Sequence, residues 1–287
     1  MELLLTDPSQ GVWRTPGDIG ERRTLHCSFP WPCAPCASET CLAVACKASR
    51  ECVTLEKATG RELCRMPCAP GTETMCLSPC GRYVYQLSSE ADCVHTRCVA
   101  TGELLFAAPA GVFPRNMCLE ETGRFLLVPG GAVNETYLLS LPDLRMERTV
   151  YTRHPCFAAG FYADGLVLVC AVEGDDIHTA VYGLPPHALR PRLLMELPGQ
   201  PGSLCVCPDG RNALLSTREG LMKLNLLQNA VLWNRPEWAL CMRLSCQGNL
   251  ALISAALDGR VCLLSHKSPW RQRVIACGTA AEACFCV

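Results

Sequence analysis

A repeated pattern of apolar segments and glycine turns restricts the fold of this chain more than any other feature. Each copy has a short apolar segment, a tight turn with glycine, a second apolar segment and, after a short loop, a third. The clearest copies read TMCLSPCGRYVYQL from Thr74, NMCLEETGRFLLVP from Asn116, SLCVCPDGRNALLS from Ser203 and CMRLSCQGNLALIS from Cys241. The turn glycines recur about every 40 residues, at Gly81, Gly123, Gly165, Gly210 and Gly248.

A period of about 40 residues with four short strands in each unit is typical of β-propeller blades. Further turns follow about 20 residues later, as at Gly60 and Gly102, where glycine supplies the positive φ that tight hairpins require. The 287 residues accommodate about seven such units. The sequence therefore predicts an all-β fold, a seven-bladed β-propeller with four-stranded blades.

The two ends of the chain read as parts of one blade. Residues 282–287 match the first strand of a blade, and residues 1–30 contain patterns for the second, third and fourth strands. A blade shared between the termini closes the ring and removes the open sheet edges of a linear array. We therefore expect residues 1–287 to form a single domain, with its least regular strand where Pro32 and Pro35 occur.

Three segments, SPCGRYVYQL, CPDGRNALLS and GVFPRNMCLEETGRFLLV, resemble repeats of the YVTN and WD40-like propeller superfamily. The resemblance extends over nearly the whole chain at the level of blades. The Gly-His and Trp-Asp pairs of true WD40 blades are absent, so the YVTN-like branch fits better. Because this motif is structural, it implies the fold and little about function.

The charge balance argues against nucleic acid as a partner. The chain has 26 basic and 27 acidic residues, a net charge of -1, and no long run of like charges. The N-terminus lacks the basic residues of a signal peptide, and no stretch approaches the roughly 18 apolar residues of a membrane span. We expect a cytoplasmic monomer without a cofactor and without membrane contacts.

Cysteine is unusually frequent, with 23 residues. In a reducing cytoplasm most of them are expected to be free thiols that act as small buried residues. The resemblance places Cys76, Cys118, Cys205 and Cys284 at the small position of the innermost strands. The alternative is a thiol metal site at Cys33 and Cys36. This is the only C-x-x-C pair in the chain, whereas structural zinc sites usually have two.

The loops that enter the innermost strands carry a mixed set of charged and aromatic residues, which suits a polar recognition surface. The candidate binding residues are Arg115, Asn116, Arg153, His154, Glu237, Trp238, Arg243 and Glu282. Arg243 replaces a small inner-strand residue and must reach the channel or pair with an acid. Our first hypothesis is a non-catalytic scaffold that binds a protein or peptide at this channel-mouth face.

The second hypothesis is a lactonase-like hydrolase. His154 in TRHPCF resembles the Arg-His pair before inner strands in the lactonase branch, and Pro114-Arg115-Asn116 resembles a Pro-Arg-His segment with Asn in place of His. Hydrolysis would use Arg115, His154 and Glu73 as cationic groups and base. No Gly-x-Ser-x-Gly elbow, phosphate loop or His-Glu-x-x-His motif is present.

Overall fold

The protein is all-β in a computed structural model. The structure describes residues 2–7, 11–16, 24–27, 32–46, 48–174, 176–239, 241–247, 250–255, 260–265, 268–276 and 282–286. Within these ranges the only helical segment is a single 3-10 turn, Pro236–Trp238. No helix in the described part of the chain has the length and apolar character to cross a membrane.

The strands pair into seven antiparallel sheets of four strands each. The first sheet combines β28 (Glu282–Cys286), β1 (Glu2–Asp7), β2 (Gly11–Pro16) and β3 (Thr24–Cys27). The second contains β4 (Pro32–Ala37), β5 (Cys41–Cys46), β6 (Glu51–Glu56) and β7 (Glu62–Pro67). The third contains β8 (Thr72–Leu77), β9 (Tyr83–Ser88), β10 (Cys93–Cys98) and β11 (Leu104–Pro109).

The remaining four sheets follow in chain order. The fourth contains β12 (Cys118–Leu119), β13 (Phe125–Pro129), β14 (Glu135–Ser140) and β15 (Arg145–Tyr151). The fifth contains β16 (Cys156–Tyr162), β17 (Gly165–Val172), β18 (His178–Leu184) and β19 (Arg192–Pro198). The sixth contains β20 (Pro201–Val206), β21 (Asn212–Thr217), β22 (Gly220–Asn225) and β23 (Ala230–Arg235). The seventh contains β24 (Cys241–Gln247), β25 (Leu250–Ala255), β26 (Arg260–Ser265) and β27 (Ser268–Ala276).

The core lies between neighbouring sheets. The second strand of a sheet is covered on both faces, as in β5, where all six residues are buried. Its sequence, CLAVAC, is the continuous apolar run expected of such a strand. The fourth strand is more exposed, as in β7. Between the fifth and sixth sheets, Val167, Val169, Ala213 and Leu215 belong to one buried cluster.

Glycine closes the turn between the first and second strands of several sheets. Gly81 and Gly210 have φ of 69° and 64°, values that favour a residue without Cβ. Their N–H groups donate to the carbonyl oxygens of Ser78 and Cys207, each at 2.9 Å. The positive φ expected at the later turns is also present, with φ of 74° at Gly60 and 71° at Gly102.

The second sheet begins with an irregular strand. In β4 the pairing shifts between Cys33 and Cys36, and Ala34 between them has a φ of 48°. Proline has no N–H for a ladder hydrogen bond, so Pro35 favours such a bulge.

The two ends of the chain meet in the first sheet. Strand β28 pairs antiparallel with β1, from Glu2 opposite Cys286 to Thr6 opposite Glu282. An all-β chain of four-stranded antiparallel sheets in this order is a β-propeller fold.

Candidate binding surface

Three connections form one continuous surface beside the fourth sheet. They are residues 110–117 before β12, residues 130–134 between β13 and β14, and residues 152–155 after β15. Because the strands alternate in direction, these connections emerge at the same end of the sheets. We call them together the rim surface.

Backbone hydrogen bonds join the three parts of the rim surface. The N–H of Val112 donates to the Gly130 oxygen at 3.0 Å, and the N–H of Ala132 donates back to the Val112 oxygen at 2.8 Å. The third connection is joined in the same way, since the N–H of Thr152 donates to the Asn134 oxygen at 2.9 Å. The backbone of this surface is therefore fixed by its own hydrogen bonds.

Glycine allows this close backbone approach. Gly131 has a φ of 70°, and a Cβ at this position would overlap the carbonyl oxygens of Val112 and Phe113. No side chain can therefore replace the glycine hydrogen without moving the loop that carries Phe113.

Phe113 is the most prominent apolar side chain of the rim surface, with 62% of its surface exposed. It has a φ of 51°, which is unusual for a bulky residue, and its N–H donates to Asp92 Oδ1 at 2.8 Å. Strained backbone that the surroundings hold in place often occurs at functional sites. No sequence pattern marks Phe113, because an apolar residue in a loop carries no signal for its exposure.

The predicted residues Arg115 and Asn116 follow Phe113 and differ in their surroundings. Arg115 is exposed. Asn116 is partly buried, and its Nδ2 donates to the Phe157 carbonyl oxygen at 2.9 Å. Asn116 thus ties this loop to β16, and Arg115 is the side chain available to a partner.

The predicted pair Arg153 and His154 lines a cleft of about 680 Å³ that adjoins the rim surface. We call it the side cleft. Its walls come from the end of β15, from strands β18 and β19, and from residues 189–191 of the connection between them. Tyr151 and Leu189, two of its apolar side chains, are 62% and 90% exposed.

The charged side chains of the side cleft are mostly cationic. Arg153 and Arg190 line it together with one carboxylate, that of Glu196. The cleft therefore combines exposed apolar surface with an excess of positive charge.

One contact between sheets shapes the side cleft. Arg148 on β15 donates from its Nη2 to the Ala188 carbonyl oxygen at 2.5 Å. The N–H of Ala188 donates to the Pro185 oxygen at 3.0 Å within the same turn. Arg148 thus holds the proline-rich connection of the fifth sheet against the fourth sheet.

Of the remaining predicted binding residues, the two whose side chains are described, Glu237 and Trp238, do not line this surface. Glu237 accepts a hydrogen bond from Arg235 Nε at 2.6 Å, and this guanidinium lowers the pKa of the Glu237 carboxyl. The expectation that Trp238 displays its indole needs correction, because Trp238 is 2% exposed and packs in a core cluster with Leu214 and Ile253. The side chains of Glu73, Arg243 and Glu282 lie outside the described part of the structure.

The three residues of the hydrolase hypothesis are not seen in one pocket. His154 lines the side cleft, Arg115 is not among the residues that line it, and the Glu73 side chain is not described. Catalysis by these three residues would require one substrate atom within hydrogen-bond reach of all three side chains.

The cysteines with described side chains are not in disulfides, and several are buried as expected. Burial raises the pKa of the Cys118 thiol to about 12, and the nearby thiols of Cys76 and Cys205 add to this effect. Cys33 is buried and Cys36 is partly exposed. Among the described residues, no group of three or more His, Cys, Asp or Glu side chains is arranged to hold a metal ion.

The comparisons with known proteins find similarity in structure alone. The sequence matches no protein-family model and no curated protein. A protein from Lactobacillus plantarum superimposes with a TM-score of 0.75 at 13% identity, over 99% of this chain and 100% of that one. Hydrazine synthase of Kuenenia stuttgartiensis gives a TM-score of 0.65 at 13% identity, over 88% of this chain and 81% of that one.

A third similar structure is the dihydro-heme d1 dehydrogenase NirN in complex with DHE. Its TM-score is 0.61 at 17% identity, over 83% of this chain and 53% of that chain. At such identities the similarity shows the fold and does not transfer an activity. The chain is thus similar to these proteins in its β-propeller architecture.

Proposed function

We propose that residues 1–287 form one seven-bladed ring of the YVTN and WD40-like kind, closed by the pairing of β28 with β1. We further propose that the protein is a non-catalytic scaffold that binds a protein or peptide at the rim surface and the side cleft. The ring supplies a rigid frame, and the connections at one end of its sheets supply the contacts.

The observation that carries this proposal is the clustering of exposed apolar side chains with arginines. Phe113 on the rim surface and Tyr151 and Leu189 in the side cleft are all strongly exposed. Arg115 and Arg153 lie beside them in the chain and are exposed as well. Aromatic and arginine side chains dominate the binding energy of protein interfaces, and a patch of this kind on a soluble protein commonly marks one.

The charge of the surface selects the chemistry of the partner. Arg115, Arg153 and Arg190 contribute positive charge, and Glu196 is the carboxylate lining the cleft. Complementary charge increases the association rate and excludes wrong partners. The expected partner is therefore an acidic segment that also carries apolar side chains.

Selection from a random peptide library displayed on phage tests this proposal. We expect enrichment of peptides that combine Asp or Glu with aromatic or aliphatic residues. Fluorescence anisotropy with a selected peptide should show a roughly tenfold or larger loss of affinity in Phe113→Ala or Arg153→Glu, as for a residue worth more than about 1.4 kcal/mol.

A matched control is Leu232→Ala, which removes an exposed apolar side chain from β23 on another sheet. This variant should bind the selected peptide as the wild type does. Peptides without acidic residues, or equal binding by all three variants, would contradict the proposed surface.

The hydrolase hypothesis gains no support from the described geometry. It makes a distinct prediction, because hydrolysis of an aliphatic lactone would need His154. Turnover by the wild-type protein that is abolished in His154→Ala would replace the scaffold by an enzyme. We expect no turnover above the buffer rate.

A further inference from the structure

A sulfur-rich cluster lies between the second and third sheets, well separated in the chain from the rim surface. Its members are Cys33, Cys36, Cys41, Cys52, Cys64, Cys68, Met66 and Met75. The proposed scaffold function uses none of these side chains. Within the cluster, Cys52 and Cys68 interact closely enough for each thiol to shift the pKa of the other.

Cys52 and Cys68 are neighbours on one face of the second sheet. Cys52 on β6 lies opposite Met66 on β7. Cys68 directly follows β7, and its N–H donates to the Arg50 oxygen at 2.9 Å, which continues the ladder by one pair. The two cysteines are thus diagonal neighbours within one packed cluster, and each thiol shifts the pKa of the other.

The two sulfur atoms have different access to solvent and different proton affinity. Cys52 is fully buried, whereas Cys68 is partly exposed. Interaction with the Cys52 thiol lowers the pKa of Cys68, and Thr72 and the charge of Arg97 act in the same direction. The same contact raises the pKa of Cys52. The accessible sulfur is therefore the more acidic one, and the thiolate is the reactive form of cysteine.

Polar groups with unused hydrogen-bonding capacity surround this pair. Gln86 is fully buried, and its amide lies beside Cys52 and lowers the pKa of that thiol. Neither amide atom of Gln86 has a hydrogen-bond partner of good geometry among the described residues, and the buried Nε of Arg97 also lacks one. Such groups in a folded protein call for a ligand, a water or a chemical role. An oxygen atom added to the Cys68 sulfur would be a suitable acceptor for these donors.

We propose that Cys68 and Cys52 form a peroxide-reactive dithiol site, in which Cys68 is oxidised first and Cys52 then forms a disulfide with it. In the first step the Cys68 thiolate attacks one oxygen of hydrogen peroxide and the O–O bond breaks. The products are the Cys68 sulfenic acid and hydroxide, which takes up a proton to become water.

In the second step the Cys52 sulfur attacks the Cys68 sulfur, and the S–O bond breaks. The Cys52 proton leaves with the hydroxide as a second water molecule. The two thiols lose two electrons in total and the peroxide gains them. Cys68 lies one residue beyond the end of β7, so the approach of the two sulfurs requires movement only at the end of the ladder and not within the strand.

A thiol pair that is directly opposite across two strands provides an internal reference. Cys156 on β16 lies directly opposite Cys170 on β17, but both are fully buried. A fully buried pair has no exposed sulfur for the first step. Cys80 is exposed and has a lowered pKa, and its hydrogen-bond partner is the Ser78 hydroxyl. It therefore serves as a reference for an accessible thiol without the Cys52 contact.

The test treats the fully reduced protein, residues 1–287, with hydrogen peroxide, alkylates the remaining thiols and maps the peptides by mass spectrometry. We expect a disulfide between Cys52 and Cys68 while Cys156 and Cys170 stay reduced. In Cys52→Ser the second step is blocked, so dimedone should label Cys68 as a sulfenic acid. Cys80→Ser should leave the disulfide yield unchanged.

Two outcomes would overturn the proposal. One is a Cys68 that stays reduced while Cys156 or Cys170 is oxidised. The other is an oxidised Cys68 that pairs with a thiol other than Cys52 in the wild-type protein.

A further variant, Arg97→Gln, keeps both thiols but removes the nearby charge. The pH profile of Cys68 oxidation should then move to higher pH, which a merely structural role of Arg97 would not cause.

Discussion

A single glycine determines how Phe113 is presented. Gly131 combines a positive φ with backbone oxygen atoms where a side chain would begin. We expect Gly131→Ala to lower the free energy of unfolding by about 1–3 kcal/mol, because both the strain and the overlap must be relieved by backbone movement. Urea denaturation followed by circular dichroism measures this change.

Gly174→Ala is the matched control for this substitution. Gly174 has a nearly open environment and no positive φ, so an added methyl group meets only ordinary contact. Its free energy of unfolding should stay within about 0.5 kcal/mol of the wild-type value. Equal effects of the two substitutions would show that the close approach at Gly131 contributes nothing to stability.

Residue-level prediction from the sequence succeeds where the backbone dictates the residue type. Gly81 and Gly210 are recognisable because a tight turn demands positive φ, and both have it. Trp238 and Phe113 show the opposite case. Both occur in loops, yet the turn Pro236–Trp238 leaves the indole buried while the strained loop at Phe113 exposes the ring. Neither exposure is encoded in a local pattern, since it depends on which sheet each loop meets.

At the scale of elements, a hydrogen bond from Arg148 ties the connection between β18 and β19 to the neighbouring sheet. Arg148 donates a hydrogen bond to the Ala188 carbonyl oxygen, and Leu189, which follows Ala188 in the chain, is 90% exposed. Loss of a hydrogen bond from a charged donor costs about 1.5 kcal/mol or more. We expect Arg148→Ala to increase chymotrypsin cleavage after Leu189 by about tenfold, as the open form becomes more populated.

Arg145→Ala is the control for this experiment, since Arg145 is on the same strand and pairs with Glu147 on the solvent side. Cleavage after Leu189 should keep its wild-type rate in this variant. A rate that is also unchanged in Arg148→Ala would mean that the connection is held by other contacts, and that the shape of the side cleft does not depend on Arg148.

The elements themselves are largely readable from the sequence, whereas the side cleft is not. Apolar runs and turn glycines recur with the blade period, and the proline-containing first strand of the second sheet is irregular as expected. The side cleft arises where the end of β15 faces the outer strands of the next sheet. Its walls come from two separate stretches of the chain, residues 149–154 and residues 182–196, so no single motif marks the cleft, although the loop pattern predicts Arg153 and His154.

At the scale of the whole molecule, the chain ends share one sheet, in which β28 supplies a strand to β1. In a closed ring every sheet packs against two neighbours, so no blade has to remain stable alone. Removal of one innermost strand would expose the edge of β1 and uncover the sheets on either side. The stability of the proposed ring should therefore depend on a segment of only a few residues.

Deletion of residues 282–287 tests this dependence. We expect the melting temperature to fall by roughly 10 °C or more. The loss of a paired strand costs several kcal/mol of unfolding free energy, and each kcal/mol lowers the melting temperature by about 2–4 °C. A synthetic peptide with the deleted sequence should restore part of the loss by adding a strand to the open edge. Differential scanning fluorimetry with and without the peptide measures both effects. An unchanged melting temperature would refute ring closure through β28. A lower melting temperature that the peptide does not restore would mean that residues 282–287 stabilise the protein by something other than strand pairing.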